Sequence, residues 1–259
     1  MILPLLLLAT AQSPAVQPPA VPLAGPPSTA EERSARCLDQ ATKNPDAAAE
    51  EAGRWQLAGG GFLAQQCLGI AYTNTEKWGA AAAEFEGAAR AAELAKDRRA
   101  ALYWAQGGNA WLAAKDPGKA RAALDAALAA GTLTGLQRGE AYLDRARAQV
   151  ASKDLAGARS DLDQAVVDAA ADPLAWLLSA TLARRMDDLP RAKKDIAEAL
   201  RRSGDDASVQ LEAGNIAALA GDEAGAKAAW NQAVSIAPQG DAGIAAKAAL
   251  MQFAPPITP

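Results

Sequence analysis

From about residue 28 onward, apolar positions recur at the three-to-four-residue spacing of an amphipathic helix. β-Branched residues are sparse and alanine is everywhere, which favours helix over strand. Turn signals punctuate the pattern at Asn44-Pro45, Gly59-Gly60-Gly61, Asp116-Pro117, Asp172-Pro173, Ser203-Gly204, Gly221-Asp222 and Pro238. Short helices joined by tight turns, with no strand pattern between them, predict an all-α chain of antiparallel helices.

The array is periodic. Five segments carry alanine, a large apolar residue four positions later, and alanine three positions after that: Ala81/Phe85/Ala88, Ala120/Leu124/Ala127, Ala158/Leu162/Ala165, Ala192/Ile196/Ala199 and Ala226/Trp230/Ala233. Successive segments are offset by 39, 38, 34 and 34 residues. The two longer offsets require longer helices or turns between the first and third units. Four residues before each leading alanine stand Lys77, Asp116, Asp154, Asp188 and Asp222, and the four aspartates suit the amino-terminal cap of the helix that follows. Each unit cannot bury its apolar stripe alone, so neighbouring units must stack.

The first helix of each unit carries a second set of markers. These are Leu68-Gly69 with Tyr72; Trp104, Gly108 and Trp111; Tyr142; Trp176; and Gly214 with Gly221, while Pro238 stands at the end of the last unit. In these positions the chain resembles the tetratricopeptide repeat, a 34-residue helix-turn-helix unit. The resemblance covers residues 62–240 as five repeats, preceded by a degenerate repeat at 28–61. It implies a right-handed superhelical solenoid of antiparallel helix pairs, whose first helices line a concave groove. One column of that face is Ile70, Asn109, Arg147, Thr181 and Asn215, with Asn74, Glu140 and Arg184 beside it. In peptide-binding members such Asn and Arg side chains hold the ligand backbone or its terminal carboxylate. The resemblance implies that role for Asn109, Arg147 and Asn215, with Asn74 and Arg184 as neighbouring contacts. The Lys-Asn clamp of chaperone-binding members is not reproduced in register, so a chaperone tail is not the expected ligand.

The ends are read from composition. Residues 2–9 form an apolar run of eight, followed by Ala9-Thr10-Ala11, the small-x-small pattern of a signal-peptidase site. No Lys or Arg precedes the run, so its positive end rests on the terminal amine. Residues 1–11 are therefore expected to be a signal peptide, and residues 12–27, with six prolines, an extended linker. Residues 241–253 read as a helix capping the last repeat, and 254–259 as a tail. The expected location is a bacterial periplasm, with the cytoplasm as the alternative.

Composition narrows the chemistry. The chain has 259 residues, of which 70 are alanine, but no histidine and two cysteines. Catalytic groups that use histidine, a HExxH zinc site and zinc modules built on four Cys or Cys/His ligands are excluded. The net charge of −4 argues against a nucleic-acid partner. No cofactor, metal site or catalytic residue is expected. Cys37 and Cys67 fall in the first helices of adjacent units, which run side by side, so in an exported chain they are expected to form a disulfide; in a cytosolic chain they would be two small buried thiols. The six tryptophans read as packing residues. Function is accordingly expected to be non-catalytic: a scaffold that holds a peptide or protein partner in its groove. The alternatives are self-association and an accessory role in an envelope enzyme complex.

Overall fold

The computed structural model describes residues 29–253. The expected signal peptide, the proline-rich linker and the 254–259 tail lie outside the described residues. Thirteen helices follow one another among those described: α1 (Ala30–Lys43), α2 (Pro45–Leu57), α3 (Gly61–Asn74), α4 (Trp78–Leu94), α5 (Ala100–Ala113), α6 (Pro117–Ala129), α7 (Gly135–Ala151), α8 (Leu155–Asp168), α9 (Pro173–Arg185), α10 (Leu189–Ser203), α11 (Ala207–Leu219), α12 (Glu223–Ile236) and α13 (Asp241–Gln252). Helices consecutive in sequence pack against each other. First helices of successive pairs also touch, at α1–α3, α5–α7, α9–α11 and α11–α13. The result is a solenoid with α3–α12 as five pairs, α1–α2 before them and α13 after.

Each pair is closed by one large side chain entering one gap. Phe85, Leu124, Leu162, Ile196 and Trp230, on the second helices, are all buried. The ten alanines that flank them in register have no exposed surface. Opposite, on the first helices, the same 39-38-34-34 register places Gly69, Gly108, Ala146, Ala180 and Gly214. A Cβ on Gly69 would lie 2.7 Å from the Phe85 ring, one on Gly108 2.5 Å from Leu124, and one on Gly214 2.4 Å from Trp230. Ala146 packs with Leu162 and Ala180 with Ile196. Burying each large side chain is worth about 1.5–3 kcal/mol, and the small residue opposite lets the two backbones come close enough to realise it.

The turns within the pairs repeat as well. Asp116, Asp154, Asp188 and Asp222 each accept a hydrogen bond from the backbone N–H three residues on, at Lys119, Gly157, Arg191 and Gly225. Lys77 caps α4 with no side-chain bond. The residue before each cap is left-handed: Glu76, Lys115, Lys153 and Asp187 have φ of +57° to +64°, and only Gly221 takes that position without a Cβ penalty. The extra length of the longer units goes into 17-residue α4 and α7 and the connections at 95–99 and 130–134.

The two ends are closed differently. At the amino end, Cys37 of α1 is bonded to Cys67 of α3, with Cα atoms 6.0 Å apart. Both cysteines are buried among Ala41, Ala48, Ala52, Leu68 and Ala71. Arg99, before α5, reaches back to both carboxylate oxygens of Glu31 at 3.1 Å. At the carboxyl end α13 lies over the last pair, and Phe253 meets Trp230 edge-on with ring centroids 5.0 Å apart.

Two outcomes follow from this packing. Gly214→Ala, which drives a methyl into the Trp230 indole, should lower unfolding free energy in urea by about 1–3 kcal/mol. Reducing the Cys37–Cys67 bond, which closes a loop with a sequence separation of 30, should cost about 3–4 kcal/mol by loop entropy. Denaturation curves with and without reductant measure it.

Candidate functional site

The middle of the face lined by the first helices is built from three turns of each of three successive ones. On α5 these carry Leu102, Gln106 and Asn109; on α7, Glu140, Asp144 and Arg147; on α9, Leu174, Leu178 and Thr181. The spacing of four and then three residues keeps each trio on one helical face. Leu102, Gln106, Asn109, Glu140, Asp144, Arg147 and Leu174 line one cleft of about 490 Å³, which Asp172 also borders. Leu133 and Gln137 line it as well. Leu133 comes from the longer connection at 130–134, so the second expansion in the repeat shapes this cleft. Next to it lies an apolar slot of about 160 Å³ formed by Ala146, Val150, Leu162, Leu178 and Leu182, with Arg147, Thr181 and Arg185 around it. Arg147 borders both compartments.

The polar groups of the cleft are unevenly satisfied. Asp144 accepts from Asn109 Nδ2 at 2.8 Å and from Arg147 Nη1 at 2.8 Å, which ties α5 to α7. Glu140 has no hydrogen-bond or ion-pair partner among the described residues. Burial first, then the charges of Asp172 and Asp144, push its carboxyl above the ordinary glutamate value. Gln106 Oε1 is buried without a hydrogen-bond partner. Leu174 is 43% exposed, an apolar side chain left facing the cleft.

The five expected groove residues therefore divide. Asn109 and Arg147 line the cleft. Asn74 instead donates to the Ala41 carbonyl oxygen at 2.8 Å and fastens α3 to α1. Arg184 makes a two-pronged pair with Glu212, at 2.6 and 3.1 Å. Asn215 donates to the same carboxylate at 3.2 Å and accepts from Trp230 Nε1 at 3.2 Å. Arg184, Glu212, Asn215 and Trp230 thus form one internal chain of bonds across α9, α11 and α12, and Glu212 is only 6% exposed. The column that sequence reasoning passed over lies one turn earlier on the same face: Cys67, Gln106, Asp144, Leu178 and Glu212. The same register that found Asn109 and Arg147, moved back by three residues, would have found it.

Five of the six tryptophans make contacts within the chain. Trp104 donates to Glu93, Trp111 to Glu86, Trp176 to the Ala170 carbonyl oxygen and Trp230 to Asn215. Trp55 lies buried beneath the Arg33 guanidinium. Among the described residues no group of three or more His, Cys, Asp or Glu is placed to hold a metal ion.

Substitutions separate the two sorts of arginine. Arg184→Ala leaves the buried Glu212 carboxylate without its cation and should cost about 1–3 kcal/mol. Arg147→Ala, at a half-exposed cation whose partner Asp144 keeps its bond from Asn109, should cost less, about 1 kcal/mol or below. Thermal and urea melts of the two variants check the contrast.

No family model matches the sequence, and no curated protein matches it. Solved structures do. PilF of Pseudomonas aeruginosa superposes with a TM-score of 0.68 at 16% identity, over 85% of this chain and 99% of that one. PilW, described as a widely conserved type IV pilus biogenesis factor, gives a TM-score of 0.69 at 16% identity, over 85% and 98%. YrrB, described as a TPR protein with an unusual peptide-binding site, gives 0.55 at 19% identity, over 71% and 91%. At these identities the likeness concerns the fold. Six helix pairs in register with a closing thirteenth helix among the described residues, and these neighbours, show a tetratricopeptide-repeat fold.

Proposed function

We propose that this protein is a non-catalytic interaction scaffold whose concave face holds an extended segment of a partner protein. The observation that carries the reading is the cleft at Asn109, Asp144 and Arg147 with its adjoining apolar slot: an open groove on rigid helices, offering both polar atoms and unsatisfied apolar surface. Mechanistically, helices held by the pair-closing side chains present preorganised donors and acceptors, and the partner loses little to reorganisation of the scaffold. The absence of histidine from the whole chain fits a binding role.

The protein is read as working in the periplasm. A disulfide between two buried cysteines suits an oxidising compartment, and no helix among the described residues is long and apolar enough to cross a membrane. The fold likeness to a pilus biogenesis factor agrees with a place in an envelope assembly. The test is crosslinking in cells of the native host, followed by affinity recovery of the full chain and of an Asn109→Ala/Arg147→Ala double variant. The native chain should recover partners that the variant loses. Equal recovery of every partner would reject the groove.

A further inference from the structure

The chemistry of the groove narrows its occupant, on the basis of the groove reading above. Three carboxylates, Glu140, Asp144 and Asp172, border the main cleft against a single guanidinium, that of Arg147. Asp144 is ion-paired with Arg147 and accepts a hydrogen bond from Asn109, and Asp172 caps α9 through the Leu174 N–H. Glu140 is the exception. It stands in a register whose counterparts on α5 and α9 are Leu102 and Leu174, and on α11 Ser208, so on the cleft an acid stands between two leucines. It also stands four residues before Asp144 on the same helix, a like-charge spacing that weakens a helix. Glu140 is exposed at the cleft with no cation beside it, so its charge is open to a group from outside the chain.

The second compartment has the opposite character. The slot between α7, α8 and α9 is walled by Val150, Leu162, Leu178 and Leu182. Its 160 Å³ is close to the ~150 Å³ that takes a benzene-sized group. Glu140 and Ala146, the α7 residues that mark the two compartments, are six positions apart on one helix, about 9 Å along its axis. Extended chain covers that distance in about three residues.

We infer that the partner segment is an extended peptide carrying a lysine or arginine three residues from a leucine, isoleucine or phenylalanine. The cation sits between Glu140 and Asp172, and the apolar side chain enters the slot beside Leu178 and Leu182. Charge complementarity selects a cationic occupant over an acidic one, and the slot selects against segments with a cation alone.

The test uses the full chain and capped ten-residue Gly/Ser peptides carrying Lys and Leu three apart, in both orders. Control peptides replace Lys by Glu or Leu by Ala. Backbone-amide NMR titration reads affinity and location together. At least one Lys/Leu peptide should shift amides on α7 and α9, and each control should bind at least fivefold more weakly. Glu140→Gln should weaken the Lys/Leu peptide at least fivefold while raising the melting temperature, and Glu140→Lys should reverse the preference toward the Glu/Leu peptide. No binding, equal binding of Lys and Glu peptides, or shifts confined to other helices would overturn the inference. If the crosslinking experiment still shows partners lost from the Asn109→Ala/Arg147→Ala variant, only the cationic motif falls; if those partners are also retained, the groove reading falls with it.

Discussion

Everything in this solenoid depends on how closely the two helices of a pair can approach. A large side chain from the second helix must find room against the first, and that room exists only where the first helix has no Cβ or a single methyl. Gly69, Gly108 and Gly214 take Phe85, Leu124 and Trp230; Ala146 and Ala180 take Leu162 and Ile196. The flanking alanines then seal the contact without adding bulk. The high alanine content follows in part from this geometry, since each pair needs small residues at fixed positions and one large residue between them. The low aromatic content has the same origin.

A rigid pair geometry fixes where the exposed faces of the first helices point, and so fixes the groove. Leu102, Gln106 and Asn109 line up with Glu140, Asp144 and Arg147 because α5 and α7 are each held by their own partner helix. The longer units at this place add the connection that contributes Leu133 to the cleft. The site is therefore a product of stacking: no single pair carries it, and the apolar slot needs side chains from three helices.

Much of the architecture is legible in the sequence because it is written in locked columns. The alanine-large-alanine columns mark the second helices, and the four aspartates mark their caps. Cys37 and Cys67 could be placed on neighbouring helices before any coordinates. The polar face is harder to read. Asn74 is separated by 33 positions from the carbonyl it bonds, and Arg184 by 28 from Glu212. Those separations follow no repeat offset. They depend on the reach and rotamers of long side chains between adjacent helices, which a pattern of apolar positions does not encode. As a result, Arg147 and Arg184 look alike in sequence, yet one borders an open cleft and the other anchors a buried carboxylate.

The unequal closure of the two ends gives the array a direction. A stack of repeats loses structure from its ends inward, because a terminal unit has one neighbour instead of two. Here the amino-terminal pair is held covalently to the next, whereas α13 rests on noncovalent contacts such as that of Phe253 with Trp230. Opening is therefore expected to start from α13 and to reach α9 before α1 is released from α3. The groove sits between these ends, bounded on one side by the stapled half and on the other by the half that opens first. Amide hydrogens on α11–α13 are expected to exchange ahead of those on α1–α3, and the same gradient would make the α9 wall of the slot the more yielding wall.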